Sequence, residues 1–256
     1  MIHAVNSGDV LAQRRLTQGV TGNAHWRTDF LGQASDGRLK ESPQAYLLEM
    51  TPGEVLLAHF HAVDQFQIFV AGSGNLGRTH TDVTPVLVHY ADHHTGYGPI
   101  EASAQGFSYF TLRARSDSGV VYLHHPGYRD KLLPSRRRHF TASLRLSTAP
   151  VLAQRTDTEV SALYPQDMAV DDGLGAFLYR MGPGLSLRVP QAAAASGGQY
   201  LLVLNGSVQH GGKAYPAWSV LYSDPAGDAM EVSAGAGGAE WLFLQFPATP
   251  QTGTAP

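Results

Sequence analysis

The segment GEVLLAHFHAVDQFQIFVAG, Gly53 to Gly72, sets His59 and His61 one residue apart and follows them with Gln65. In a strand, alternate side chains share a face. His59, His61, Val63, Gln65 and Gln67 then point one way, and Phe60, Asp64, Phe66 and Ile68 point the other. The second set is mostly apolar, as a face packed on another layer must be. The first set carries two imidazoles and two amides toward the inside of a barrel. Neutral imidazole is a good ligand for iron, nickel, copper or zinc, and a dry cavity sharpens a metal's Lewis acidity. In a chain with 12 histidines, the pair alone does not separate metal ligands from two hydrogen-bonded strand histidines. The surrounding residues decide.

The elements that must hold this pair are short apolar runs broken by turn residues. Gly (28) and Pro (15) are frequent, hydrophobic residues make up 43% of the 256, and Cys is absent. That pattern favours strands over long helices, and the lack of Cys removes disulfides, zinc–thiolate sites and thiol nucleophiles. The net charge of −3 gives no electrostatic case for a nucleic-acid partner, and no apolar run is long enough to span a membrane. The N-terminus lacks the apolar core of a secretory signal, so a cytoplasmic location is expected. The chain also repeats itself. AYLLEMTPG at Ala45 matches AFLYRMGPG at Ala176, and QFQIFVAGSG at Gln65 matches QYLLVLNGSV at Gln199. VLVHYAD at Val86 matches SVLYSD at Ser219, and IEASA at Ile100 matches MEVSA at Met230. Each half reads as a barrel or double sheet. Asn205-Gly206 reads as a hairpin turn, with Ala71 to Gly74 as its counterpart.

With these features the sequence resembles the cupin superfamily. Its first motif is Gly, five residues, His-x-His, three or four residues, Glu, six residues, Gly. Here Gly53, His59, His61 and Gly72 match, and Gln65 stands in the acidic position. The likeness over both halves implies a bicupin: an all-β chain of two tandem antiparallel double-sheet (jelly-roll) barrels. The expected division is 1–118 for a first barrel with the metal site, 119–155 for a linker, 156–247 for a degenerate second barrel and 248–256 for a disordered tail. The resemblance implies a further His ligand from a second motif, Pro-x-Gly, two residues, His. YADHHTGYGPI offers His94, then His93, then His89, in that order of preference. In the second half no register puts an imidazole at the motif positions, which fall on Pro190 and Ala192 or on Ala193 and Ala195. One metal per chain is expected.

The expected metal set is therefore His59, His61, His94 and Gln65, with Gln65 and Tyr97 as residues acting on the substrate. An amide in place of a carboxylate leaves a divalent site more positive, which favours an anionic, chelating small molecule. Fe(II) is the favoured metal, with Ni, Mn or Zn also suited to imidazole ligands. A dioxygenase-type oxidoreductase is the first functional reading. A metal-assisted isomerase or lyase, and a non-catalytic binding protein, are the others. A monomer with pseudo-dimeric barrels, or a homodimer, is expected. Tyr109 and Thr111 alternate with Phe110 and Leu112 and read as core or pocket wall; Arg136, Arg137 and Arg138 with Lys131 read as solvated linker.

Overall fold

The repeated runs become antiparallel strands, and matching runs take matching places. A computed structural model describes residues 1–19, 22, 24–33, 35–79, 81–190, 197–225, 227 and 229–248. The chain forms two compact units, Val10–Arg145 and Met1–Asp9 with Leu146–Pro256. The first unit's main sheet runs His139–Ser143, Leu87–Ala91, Gln65–Leu76, Ile100–Arg113, Gln44–Met50, Ala24–Leu31, Arg15–Gln18. Val55–Leu56 adds to Ile100–Arg113, and a separate pair joins His59–Phe60 to Val121–Tyr122. The second unit runs Ile2–Val5, Val220–Ser223, Gln199–His210, Glu231–Gln245, Gly175–Met181, Thr158–Ala162.

These boundaries differ from the sequence reading. Residues 2–5 pair with Val220–Ser223, so the N-terminal strand serves the second unit. Residues expected as linker are divided: Val121–Tyr122 and His139–Ser143 complete the first unit, and the helix Ala149–Ala153 belongs to the second. Both sheets leave the edge of one strand, 87–91 or 220–223, open to an unpaired β-prone run. Edge pairing satisfies the backbone groups that edge exposes. Of the expected disordered tail, 248–256, residues 249–256 lie outside the described residues, while Ala248 donates to the Asp172 carbonyl at 2.7 Å. Among the described residues, no helix is long and apolar enough to cross a membrane.

The first unit's core stacks Phe69 on Phe107 at 4.5 Å, with Tyr109, Ile100 and Leu76 around them. In the second unit Trp241 is fully buried and stacks on Tyr179 at 4.1 Å. Beside it, the buried Glu240 carboxylate accepts from Arg180 Nε, Ser147 N and Asn205 Nδ2 at 2.8–3.0 Å. The two Gly-containing runs are not turns. Gly72 lies inside the strand Gln65–Leu76 and Gly206 inside Gln199–His210, each where the ladder slips register. A Cβ on Gly72 would overlap the Gly106 carbonyl, and one on Gly206 the Gly238 carbonyl. The second unit's tight turn is instead Gly211-Gly212, both at positive φ, between His210 and Lys213. Asn-Gly satisfies a bulge as readily as a hairpin, because both call for positive φ.

Gly72 and Gly77 separate strain from close approach. Both have positive φ (74° and 83°), but nothing lies within 4 Å of a Cβ at Gly77. Gly77→Ala should cost about 1 kcal/mol from backbone strain alone. Gly72→Ala should cost about 3 kcal/mol or more, because backbone must move. Denaturant titration of both variants measures the difference; equal losses would remove the close-approach argument.

Candidate metal and ligand site in the first barrel

His59 is placed by two ladders. Its strand pairs with Val121–Tyr122 on one side. On the other, His59 and Tyr97 exchange both backbone hydrogen bonds at 3.0 Å. A pair joined this way projects its side chains on the same face, and the Tyr97 hydroxyl reaches His59 Nε2 at 2.8 Å. The His59 Nδ1–H donates to the Leu57 carbonyl at 2.6 Å, which leaves Nε2 as the acceptor of the phenol proton. The His59 imidazole is fully buried. Burial, with the neighbouring His61, pushes its pKa down to about 3. His59 is therefore a neutral base.

His61 stands 5.1 Å from His59, ring to ring and nearly perpendicular. Its Nδ1 lies 2.6 Å from Asp117 Oδ2 and 3.1 Å from Arg113 Nη2. One nitrogen cannot donate to the first and accept from the second. Asp117 is nearer and accepts only, so Nδ1–H donates to it and the guanidinium lies alongside. Burial lowers the His61 pKa first and Arg113 adds to this, against the pull of Asp117. Burial alone would raise the Asp117 carboxyl, but the His61 hydrogen bond and the Arg113 charge outweigh it and hold it at about 2. Asp117 also accepts from the backbone of Ala62 and Gly119.

Gln65 opens the strand Gln65–Leu76 and does not face the cavity directly. Its Nε2 donates to the Tyr97 hydroxyl, and its Oε1 accepts from Arg113 Nε and Nη2 at 3.1 and 2.8 Å. Arg113 Nη1 donates to Gln44 Oε1 at 2.7 Å. Burial pushes the Tyr97 phenol far above its ordinary range, so it keeps its proton. A continuous relay of hydrogen bonds thus runs Arg113, Gln65, Tyr97, His59. The structure brings together His59, His61, Gln65 and Tyr97.

It does not bring in His94. The His94 backbone donates to the His61 carbonyl at 2.7 Å, but its ring lies 5.7 Å from Phe60 and 5.4 Å from His93. Its φ is 55°, a left-handed conformation. His93 bonds to Asp64 through both its backbone and its ring at 2.7 Å. His89, set last among the three, is the one that points inward. Its Nδ1–H donates to Gln67 Oε1 at 2.8 Å, its Nε2 has no partner, and its ring lies 4.9 Å from Tyr97. His89 is buried and its pKa is driven well below 6.5 by that burial.

No family model matches the sequence, and no curated protein matches it. Solved structures do match. A proposed dioxygenase from Nostoc punctiforme PCC 73102 is 12% identical with a TM-score of 0.59, over 100% of this chain and 87% of that one. Oxalate decarboxylase from Bacillus subtilis is 14% identical at TM-score 0.57, over 97% and 76%. The bacterial pirin YhhW from Escherichia coli, solved in complex with nickel(II), is 12% identical at 0.56, over 97% and 100%. The fold is that of the cupins.

In the cupin second motif a glycine precedes the histidine by three residues. Here His94 has the left-handed φ that suits glycine, and Tyr97 follows three residues later, against His59. The Tyr97 phenol, and not the expected His94 imidazole, is the group that meets His59. Both imidazoles are neutral and anchor Nδ1 on an oxygen; His61 leaves its Nε2 for a ligand, while a metal on His59 Nε2 would have to displace the Tyr97 hydroxyl. Among the described residues no group of three or more His, Cys, Asp or Glu side chains converges. The donors are two imidazoles with a phenol and an amide. Arg113 and Asp117 were not singled out from sequence. Arg113 continues the alternation of Tyr109 and Thr111, and that was the available signal.

The clasp between Asp64 and His93 ties the loop carrying Tyr97 to the turn after His61. Its hydrogen bond raises the His93 pKa above its ordinary 6.5. A raised folded-state value means stabilisation that is complete below about 6.5 and lost as pH rises through the folded pKa. Calorimetry from pH 6 to 8.5 should show a loss of under about 1 kcal/mol, given the partial exposure of the pair. Asp64→Asn should flatten that slope; an unchanged slope would assign it to another group.

Proposed function

We propose that the first barrel is a metal-dependent cupin site for a small anionic, chelating substrate, and that its reaction is a dioxygenase-type oxidation. The observation that carries this reading is the pair of neutral, oriented imidazoles, His59 and His61, beside the buried guanidinium of Arg113. His59 and His61 would hold the metal through Nε2. A divalent transition metal bound there supplies Lewis acidity and, for iron, one-electron chemistry toward O₂. Fe(II) remains the favoured ion, and nickel, manganese and zinc also suit the donors.

The chain's own residues supply the rest. Asp117 and the Leu57 carbonyl fix the tautomer and direction of the two imidazoles. Without metal the Tyr97 hydroxyl donates to His59 Nε2; with a metal on that nitrogen it would be displaced, with Gln65 holding the phenol from the other side. Arg113 places a permanent positive charge at the floor and draws an anion toward the imidazoles. The apolar upper walls, including Leu48, Met50 and Leu56, exclude water from the reacting group.

Elemental analysis of the purified protein should find at most one transition-metal ion per chain. His59→Ala or His61→Ala should remove it, while His124→Ala or His139→Ala should not. Binding should hold at pH ~6 and weaken only in stronger acid, because burial keeps both imidazoles unprotonated below the ordinary imidazole range. O₂ uptake against a panel of chelating anions reads the reaction class: turnover without uptake sinks the dioxygenase reading, and metal retained in His59→Ala sinks the site. Gln65→Glu gives a further check. The new carboxylate meets Arg113 in an ion pair, so anionic ligands should bind about tenfold more weakly.

A further inference from the structure

The cavity above the imidazoles has a direction, and the strand register fixes it. Along Ile100–Arg113, Arg113 lies opposite Gln44, Thr111 opposite Tyr46, Tyr109 opposite Leu48 and Phe107 opposite Met50. His25 in turn lies opposite Met50. Of these, Arg113, Thr111, Tyr109, Tyr46, Leu48, Met50 and His25 line one cavity of about 250 Å³ together with His59 and His61. At ~3.3 Å per residue, Arg113 to Tyr109 spans about 13 Å. The cavity therefore passes from a cationic floor, through a hydroxyl, to apolar and aromatic walls.

Its far end carries the opposite charge. Glu54 is 4% exposed, lines the same cavity and is held by His25 Nδ1 at 3.0 Å and the Thr51 backbone at 3.1 Å. Near the floor, Thr111 is 1% exposed and its Oγ1 has no hydrogen-bond partner. A buried hydroxyl without a partner is costly to keep, and this one sits on the same face of the strand as Arg113, two residues before it. A ligand oxygen satisfies it.

We propose that this cavity takes an amphiphilic monocarboxylate, with its carboxylate on Thr111 and Arg113, its uncharged body along Tyr46, Leu48 and Tyr109, and no second negative group near Glu54. The inference rests on the reading of this cavity as the substrate site and deepens it, but it does not require the metal. Thr111 donates its hydroxyl proton to a carboxylate oxygen. Arg113 supplies the charge, already steered by Gln65 and Gln44. Glu54 rejects a dicarboxylate by repulsion in a poorly solvated pocket.

The test is calorimetric titration of the full chain, as purified and after chelator treatment, with phenylacetate, phenylacetamide and terephthalate. Phenylacetate should bind both preparations, and the neutral amide and the dianion should each bind about tenfold more weakly or worse. Thr111→Val should weaken phenylacetate by a similar factor while keeping or raising the melting temperature, since it removes an unpartnered hydroxyl. Equal affinity for phenylacetate and its amide, tighter binding of terephthalate, or an unchanged Thr111→Val affinity would each overturn the proposal. Metal content read on the same samples keeps the two readings apart. Metal bound without phenylacetate binding sinks this inference alone, and phenylacetate bound by a chain that takes up no metal sinks the metal reading alone.

Discussion

A buried guanidinium organises the first barrel. Arg113 is 3% exposed, and a charge so placed must find polar partners or cost several kcal/mol. It finds Gln65, Gln44 and, at 3.6 Å, Asp117. Those partners are the ones that orient everything else. Gln65 steadies Tyr97, Tyr97 occupies His59, and Asp117 holds His61. Removing the charge would take the guanidinium donors from the Gln65 and Gln44 oxygens and a countercharge from Asp117. The glutamine in the acidic position has its physical reason here. A carboxylate at that place would answer the guanidinium directly and consume the positive charge that the cavity offers to an anion.

The large-scale architecture was legible because it rests on patterning. Repeated apolar runs and a glycine-punctuated order are enough to announce two related β units, and the alternation around His59 correctly puts Gln67 on the cavity side with the two imidazoles. What sequence conveyed poorly was backbone conformation. His94 resembles a ligand on paper because its side chain is an imidazole, yet its left-handed φ sends the ring against Phe60. Tyr97 is expected near the substrate, but its meeting with His59 follows from the backbone hydrogen bonds that the two exchange across a gap of 38 residues. Asn205-Gly206 looked like a turn because bulges and hairpins make the same demand on φ.

Asp117 and Arg113 show a different limit. Neither belongs to a motif, and each is four residues from the other in a region where the strand gives way to a loop. Their role follows from what they touch, which needs three dimensions. Thr111 is intermediate: its facing was readable from alternation, but its lack of a partner was not.

The strand Ile2–Val5 has a consequence for how such a chain is made. A ribosome synthesises it before any residue of Val10–Arg145, yet its ladder partner among the described residues, Val220–Ser223, comes more than two hundred residues later. The first barrel has all its own strands by Ser143 and can close during synthesis. The second cannot be completed until Val220–Ser223 and Glu231–Gln245 have been made and Ile2–Val5 is retrieved. The half of the molecule that carries the imidazole pair is thus free to mature early, while the other half waits on strands that flank the first barrel in sequence on both sides.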